Sequence, residues 1–151
     1  WRCTLGEVVN AEMRLSEWGE IAAACWRELP RYFSDVELDA WMAMPNHFHG
    51  IIITHDPESV GAGLVPALIA RATTRVAPTI GDIIGAYKSI TTHKYIQGVK
   101  EFAWPVFNKK LWQRNYYEHI LRNQADYDRI AGYIQDNPLN WNQDDENPSK
   151  P

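Results

Sequence analysis

The stretch VELDAWMAMPNHFHGIIIT, residues 36–54, constrains the fold of this chain more than any other part of it. Residues 36 to 44 alternate in the period-two pattern of a half-buried strand. Pro45-Asn46 then breaks the pattern, because proline fixes its own φ and has no backbone donor. From His47 to Thr54, HFHGIIIT reads as a second strand. Two strands separated by so short a break pair antiparallel, so the pattern predicts a hairpin within a small antiparallel sheet.

The remaining elements are arranged around that hairpin. GEVVNAEMRL, residues 6–15, reads as two short strands about a turn at Asn10 and Ala11. Ser16 caps a helix running to about Leu29, with Ile21, Cys25 and Leu29 spaced by four and Pro30 at its end. A second helix is expected from about Thr79 to Gln97, with Ile80, Ile83, Ile84 and Tyr87 on one side. A short helix is expected over Tyr116 to Arg122, and a last one from Asn123 to about Asp136, before Pro138. Strands and helices are mixed rather than strictly alternating, which indicates an α+β fold with helices packed on one face of the sheet. The 151 residues suit a single domain, 1–151. Residues 57–78, rich in Gly and Pro, are expected to form a flexible loop, and 142–151 a frayed polar tail. The chain begins with Trp1, so some N-terminal residues are expected to be missing.

Composition bounds the function. Hydrophobic residues make up 45% and charged residues 23%, a globular profile. No apolar run approaches the roughly 20 residues of a membrane span, so no membrane partner is expected. Cys3 and Cys25 are too few for a four-thiolate zinc site, and reduced cysteines in a cytoplasmic protein are the expectation. The net charge of −4 argues against a generally adhesive nucleic-acid surface, but the charge is unevenly spread. Residues 1–60 carry four Lys/Arg against ten Asp/Glu, whereas 88–122 carry seven against two. That basic stretch also holds Trp104, Phe107, Trp112, Tyr116 and Tyr117. Cations suit phosphates and rings suit unstacked bases, so the mixture fits a single strand; it equally fits a solvated basic face beside core aromatics.

In a strand, side chains at i and i+2 share a face, so His47 and His49 point together while Phe48 points away. Two neutral imidazoles on a rigid element make half of a divalent-metal site, although such a pair also arises by chance. Tyr133 and Asn137 stand four apart, on one face of the last helix. Four residues beyond Tyr116, Tyr117 and Tyr127 lie Ile120, Leu121 and Ala131, none of which can bind a metal. The same spacing also suits a buried aromatic and a helix cap before Pro138.

Three blocks in order, MPNHFHGIII, LWQRNYYEHILRN and DYDRIAGYIQDNPLNW, resemble the single-tyrosine HUH transposases, closest to the REP-associated tyrosine transposases related to those of small insertion sequences. The likeness runs from about Gly6 to Trp141. It implies a ferredoxin-like antiparallel sheet, with His47, His49 and Asn137 as ligands of Mg²⁺ or Mn²⁺ and Tyr133 as the nucleophile in a Tyr-Ile-x-x-Asn-Pro pattern. The implied reaction is cleavage of single-stranded DNA through a 5′-phosphotyrosine, followed by rejoining, with no nucleotide cofactor. Folded hairpins are the implied substrate. Lys88, Lys109, Lys110, Arg114 and Arg122 are candidates for phosphate contact and Trp112 for base stacking. Rival readings are a catalytically silent DNA-hairpin-binding module, a hydrolase that activates water on the His pair, and an RNA- or protein-binding domain. Monomer and homodimer both remain open.

Overall fold

The computed structural model describes residues 4–55 and 78–150. Cys3 and residues 57–77 of the expected 57–78 loop lie outside the described residues. In chain order the elements are β1 (Gly6–Val9), β2 (Glu12–Leu15), α1 (Glu17–Arg27), α2 (Leu29–Tyr32), β3 (Val36–Ala43), β4 (Phe48–Thr54), α3 (Ile80–Glu101) and α4 (Gln124–Asn140), and a 3₁₀ turn, Trp141–Gln143, follows. The fold is α+β.

Local chemistry accounts for most boundaries. Asn10 and Ala11 both take positive φ, 53° and 63°, so the β1–β2 turn has the twist that short hairpins favour. The Ser16 hydroxyl accepts from the Gly19 N–H at 3.0 Å and donates to the Thr4 carbonyl at 2.7 Å, which starts α1 and ties it to the preceding chain. Thr79 and Asp82 form a reciprocal capping box at the start of α3. That helix buries Ile83, Tyr87, Thr91 and Tyr95 at spacings of four, then runs one turn past the expected end at Gln97. Gly98 does not stop it, because the Trp104 ring packs directly against the missing side chain, 2.1 Å from where a Cβ would sit.

The hairpin forms as expected, with Leu38 opposite Ile52, Trp41 opposite Gly50 and Ala43 opposite Phe48. Between Leu38 and Trp41 strand β3 carries one residue more than β4, a bulge that reverses which side chains face which way. Asp39 sits in this bulge, where one carboxylate oxygen accepts from the Ala40 N–H and the other from the Tyr127 hydroxyl of α4, both at 2.8 Å.

Within the α+β class the arrangement differs from expectation in two respects. Among the described residues the strands form two two-stranded antiparallel sheets, β1–β2 and β3–β4, rather than one. They meet through the Leu5 N–H, which donates to the Pro45 carbonyl at 2.9 Å. Helices also cover both faces of the β3–β4 hairpin. On one face Phe48 and Ile52 join Trp26, Leu29, Ile83 and Tyr87 from α1, α2 and α3. On the other, Ile51 and Ile53 pack with Ala131 and Ile134 of α4. The reason lies in β4 itself: GIII is apolar on both faces, so a single layer of helices would leave one face in water.

Two helix predictions are corrected. No helix forms over Tyr116–Arg122; Tyr117 and Ile120 are 93% and 75% exposed, so a helix there would have no buried stripe to stabilise it. Helix α4 does not stop at Asp136 but runs through Pro138 to Asn140. Pro138 and Trp141 are buried, and this packing offsets the missing backbone hydrogen bond. Within the expected frayed tail, 142–151, the described residues to 150 are tied down instead. Asn147 Nδ2 donates to the Trp141 carbonyl at 3.0 Å, and Asn46 Nδ2 to the Glu146 carbonyl at 2.7 Å, so the tail folds back on the β3–β4 turn.

Gly50 supplies a test of the packing. A Cβ at this position would lie 2.3 Å from the buried ring of Trp26. Gly50→Ala is therefore expected to destabilise the protein by about 1–3 kcal/mol through overpacking, read as a lower urea midpoint at unchanged m-value. An unchanged midpoint would contradict this contact.

Candidate active site

The Phe48 side chain anchors the site from behind. Its ring stacks on Trp41 at 5.5 Å and 4° and contacts Trp26 at 4.8 Å, so its neighbours His47 and His49 project from the opposite face. Their Nε2 atoms lie 2.9 Å apart. Asn46 Oδ1 accepts a hydrogen bond from His47 Nδ1 at 2.8 Å, which assigns the proton to Nδ1 and directs the Nε2 lone pair at His49. Asn46 is itself held by its Nδ2 contact to the tail, so the tail orients the imidazole at second hand.

Helix α4 supplies the rest. Tyr133 lays its ring against His49, with centroids 5.5 Å apart and planes at 81°. One turn later Asn137 is 2% exposed, with Nδ2 3.4 Å from His49 Nε2. Its Oδ1 is buried and has no hydrogen-bond partner, a costly state for a carboxamide oxygen in the interior. Rotating the carboxamide by half a turn would aim that oxygen at the imidazoles, since the amide N and O are interchangeable in shape. Asp144, from the tail, brings Oδ2 to 3.9 Å from His47 Nε2. Trp141 closes the far side, its ring 6.0 Å from His47.

Burial sets the protonation. It pushes the His47 imidazole below its ordinary pKa, opposed by the nearby carboxylates of Asp144 and Glu146. His49 is pushed down to about 4, chiefly by burial and then by His47, with Asp144 opposing. Both rings are therefore neutral at neutral pH, the form in which imidazole binds metals. The donors suit a divalent cation: two facing Nε2 atoms, both free to ligate once His49 carries its proton on Nδ1, and an orphaned carboxamide oxygen beside them. Among the described residues no group of three or more His, Cys, Asp or Glu is placed to hold a metal; the further oxygen-bearing side chains beside the pair are the Asn137 carboxamide and the Asp144 carboxylate. Two nitrogens depart from the all-oxygen ligation that Mg²⁺ prefers and suit a transition ion such as Mn²⁺ better.

The depressed pKa has a consequence for stability. An unfolded His49 takes up a proton near pH 6.5 and the folded one near 4, so between those values the unfolded state binds more protons. Stability is fully present above pH 6.5 and is lost as pH falls toward 4. Urea midpoints at pH 7.5 and 5 are expected to differ less in His49→Ala than in the natural chain. Equal differences would show that His49 is not the group responsible.

The structure brings His47, His49, Tyr133 and Asn137 together, and none of the expected DNA contacts touches these four side chains in a hydrogen bond or ring contact among the described residues. Lys88 Nζ donates to the Gln113 carbonyl at 2.8 Å and reaches that of Asn115 at 3.4 Å, so it ties the 103–123 segment to α3. Trp112 is half-buried, and its indole N–H donates to Thr91 Oγ1 at 2.9 Å. Lys109, Lys110, Arg114 and Arg122 are exposed. His119 pairs with Asp126 in the first turn of α4. Sequence reasoning missed Asn46 and Asp144. Asn46 was adjacent to the His pair, a detectable signal, whereas Asp144 stood in a polar tail with nothing to mark it.

The chain is thus an α+β protein with paired neutral imidazoles, a neighbouring tyrosine and a buried carboxamide. It belongs to one family with an uncharacterized protein of Haemophilus influenzae, to which it is 35% identical over 147 aligned residues, covering 94% of this chain and 76% of that protein. No family model matches the chain, and no solved structure matches it. No helix among the described residues is long and apolar enough to cross a membrane.

Proposed function

We propose that this protein is a metal-dependent transposase that cuts single-stranded DNA with Tyr133 and rejoins it by transesterification. The observation that carries the proposal is the position of Tyr133, against His49 and one turn before an orphaned buried carboxamide oxygen. Sequence resemblance to the single-tyrosine HUH transposases supports it independently of the geometry.

His47, His49 and Asn137 are the residues that hold the divalent ion in this reading. When bound, such an ion neutralises charge on a non-bridging oxygen of the scissile phosphate and orients it. Asn46 keeps the His47 Nε2 lone pair available. Tyr133 is 52% exposed, so a strand lying across α4 can reach its hydroxyl. The phenol loses its proton to solvent and its oxygen attacks phosphorus. The bond to the 3′ oxygen breaks, and that oxygen leaves as a free 3′-OH after taking up a proton. The product is a 5′-phosphotyrosine, the polarity implied by the resembled family. A 3′-OH reverses the step on the same or another end, and because the ester bond is conserved no ATP is needed. Exposed Lys109, Lys110, Arg114 and Arg122 are available to the phosphates of the strand.

End-labelled hairpin DNA with unpaired flanks, mixed with the protein and Mn²⁺, is expected to give an adduct that survives SDS and disappears in EDTA. Hairpin binding without an adduct would favour a silent binding module instead. Metal-dependent cleavage without any covalent adduct would favour a water-activating hydrolase.

A further inference from the structure

A cavity of about 230 Å³ opens between α1, α3 and the 103–123 segment, with Asn46, the chain neighbour of His47, among its lining residues. Its floor and walls are aromatic: Trp18, Tyr95, Phe107 and Trp112, with Asn108 and Lys110 at the polar side. Trp18 and Tyr95 are almost wholly buried and pack edge-to-face at 5.0 Å, so the floor is rigid. Phe107 crosses Tyr95 at 5.7 Å and forms one wall. The cavity is smaller than the roughly 300–1,000 Å³ of pockets for drug-sized ligands, so it suits one flat ring system rather than a chain.

We infer that this cavity takes a single unstacked base of the DNA strand bound at the active site. Aromatic walls offer stacking, which every base can accept, and an amide with an ammonium at the edge offers donors and acceptors to a base's polar rim. Lys109 and Lys110 are exposed at this end of the segment, the sign of charge that holds the attached phosphates. Asn46 joins the two places: it lines the cavity, and its side chain accepts the His47 Nδ1 hydrogen bond. In this assignment the base seated here belongs to the same strand whose phosphate meets the imidazoles, with Asn46 between the two places. Two residues that sequence reading assigned to strand contact, Trp112 and Lys110, line the cavity. Trp112 serves as a wall held by Thr91 rather than as an open platform. The inference rests on the proposed single-strand substrate and specifies where one of its bases goes.

The test uses Tyr133→Phe protein in EDTA, so that binding is read without cleavage. Its probe is a fluorescein-labelled hairpin, the tightest binder from a pool with randomised unpaired flanks, together with a series in which each flanking nucleotide in turn is abasic. One abasic position is expected to weaken binding about tenfold, the effect of one lost base stack. Phe107→Ala, added to this protein and checked for folding by circular dichroism, is expected to weaken the intact hairpin to a similar degree and to lose its sensitivity to that position. Asn108→Ala, an exposed change that leaves the ring packing intact, is expected to reduce discrimination among the four bases there. Sensitivity at no single position, or undiminished sensitivity and discrimination in both variants, would overturn the base-binding assignment while leaving the proposed function standing. Absence of binding to the whole pool would overturn the proposed function and this inference with it.

Discussion

Tyr133→Phe is expected to abolish the SDS-resistant DNA adduct, with a loss of at least about a thousandfold, as when a covalent nucleophile is removed from an enzyme whose other groups stay in place. The substitution removes one hydroxyl and keeps the ring that packs against His49. Because that side chain is half exposed, stability is expected to change by no more than about 0.5 kcal/mol. Hairpin affinity in EDTA is likewise expected to stay the same, which separates a lost nucleophile from a lost fold. The other tyrosines of the C-terminal half are poorly placed to substitute. The Tyr127 hydroxyl donates to Asp39, Tyr116 lies under the Lys88 ammonium, 5.6 Å from its ring centre, and Tyr117 projects into solvent. Adduct formation that survives in Tyr133→Phe would remove this residue from the mechanism, and mapping the linked peptide would identify the true nucleophile.

Trp26→Ala is expected to carry the largest stability cost, about 3–5 kcal/mol. Its ring is 2% exposed and fills the space behind the site, touching Phe48 at 4.8 Å and Tyr87 at 5.5 Å and filling the notch left by Gly50. For a chain of this size the loss corresponds to a fall in Tm of roughly 6–20 °C. Because Phe48 anchors the two histidines, the cavity is also expected to loosen their geometry, seen as weaker Mn²⁺ binding. Trp26→Phe should cost less than its smaller volume suggests. The indole N–H is buried without a partner, and phenylalanine removes that unsatisfied donor. Thermal and urea unfolding of the two variants decide the matter; a loss below about 1 kcal/mol in Trp26→Ala would mean that the core repacks around the gap.

The sequence by itself determined whatever depends on neighbours a few residues away. Alternation over residues 36–54 specified the hairpin, Asn10-Ala11 the first turn, and Ser16 and Thr79 the helix starts. It also placed His47 beside His49 and Tyr133 one turn before Asn137, because strand and helix periods are properties of the backbone. Only the tertiary structure decided what depends on distant partners. It set helices on both faces of β4, carried α4 through Pro138, left Tyr116–Arg122 without a helix, turned Lys88 and Trp112 inward, and returned the tail so that Asp144 faces His47. The physical reason is that burial and hydrogen-bond satisfaction are settled between residues far apart in the chain, for Asn46 and Glu146 a hundred positions apart, and no local period records which of them will meet.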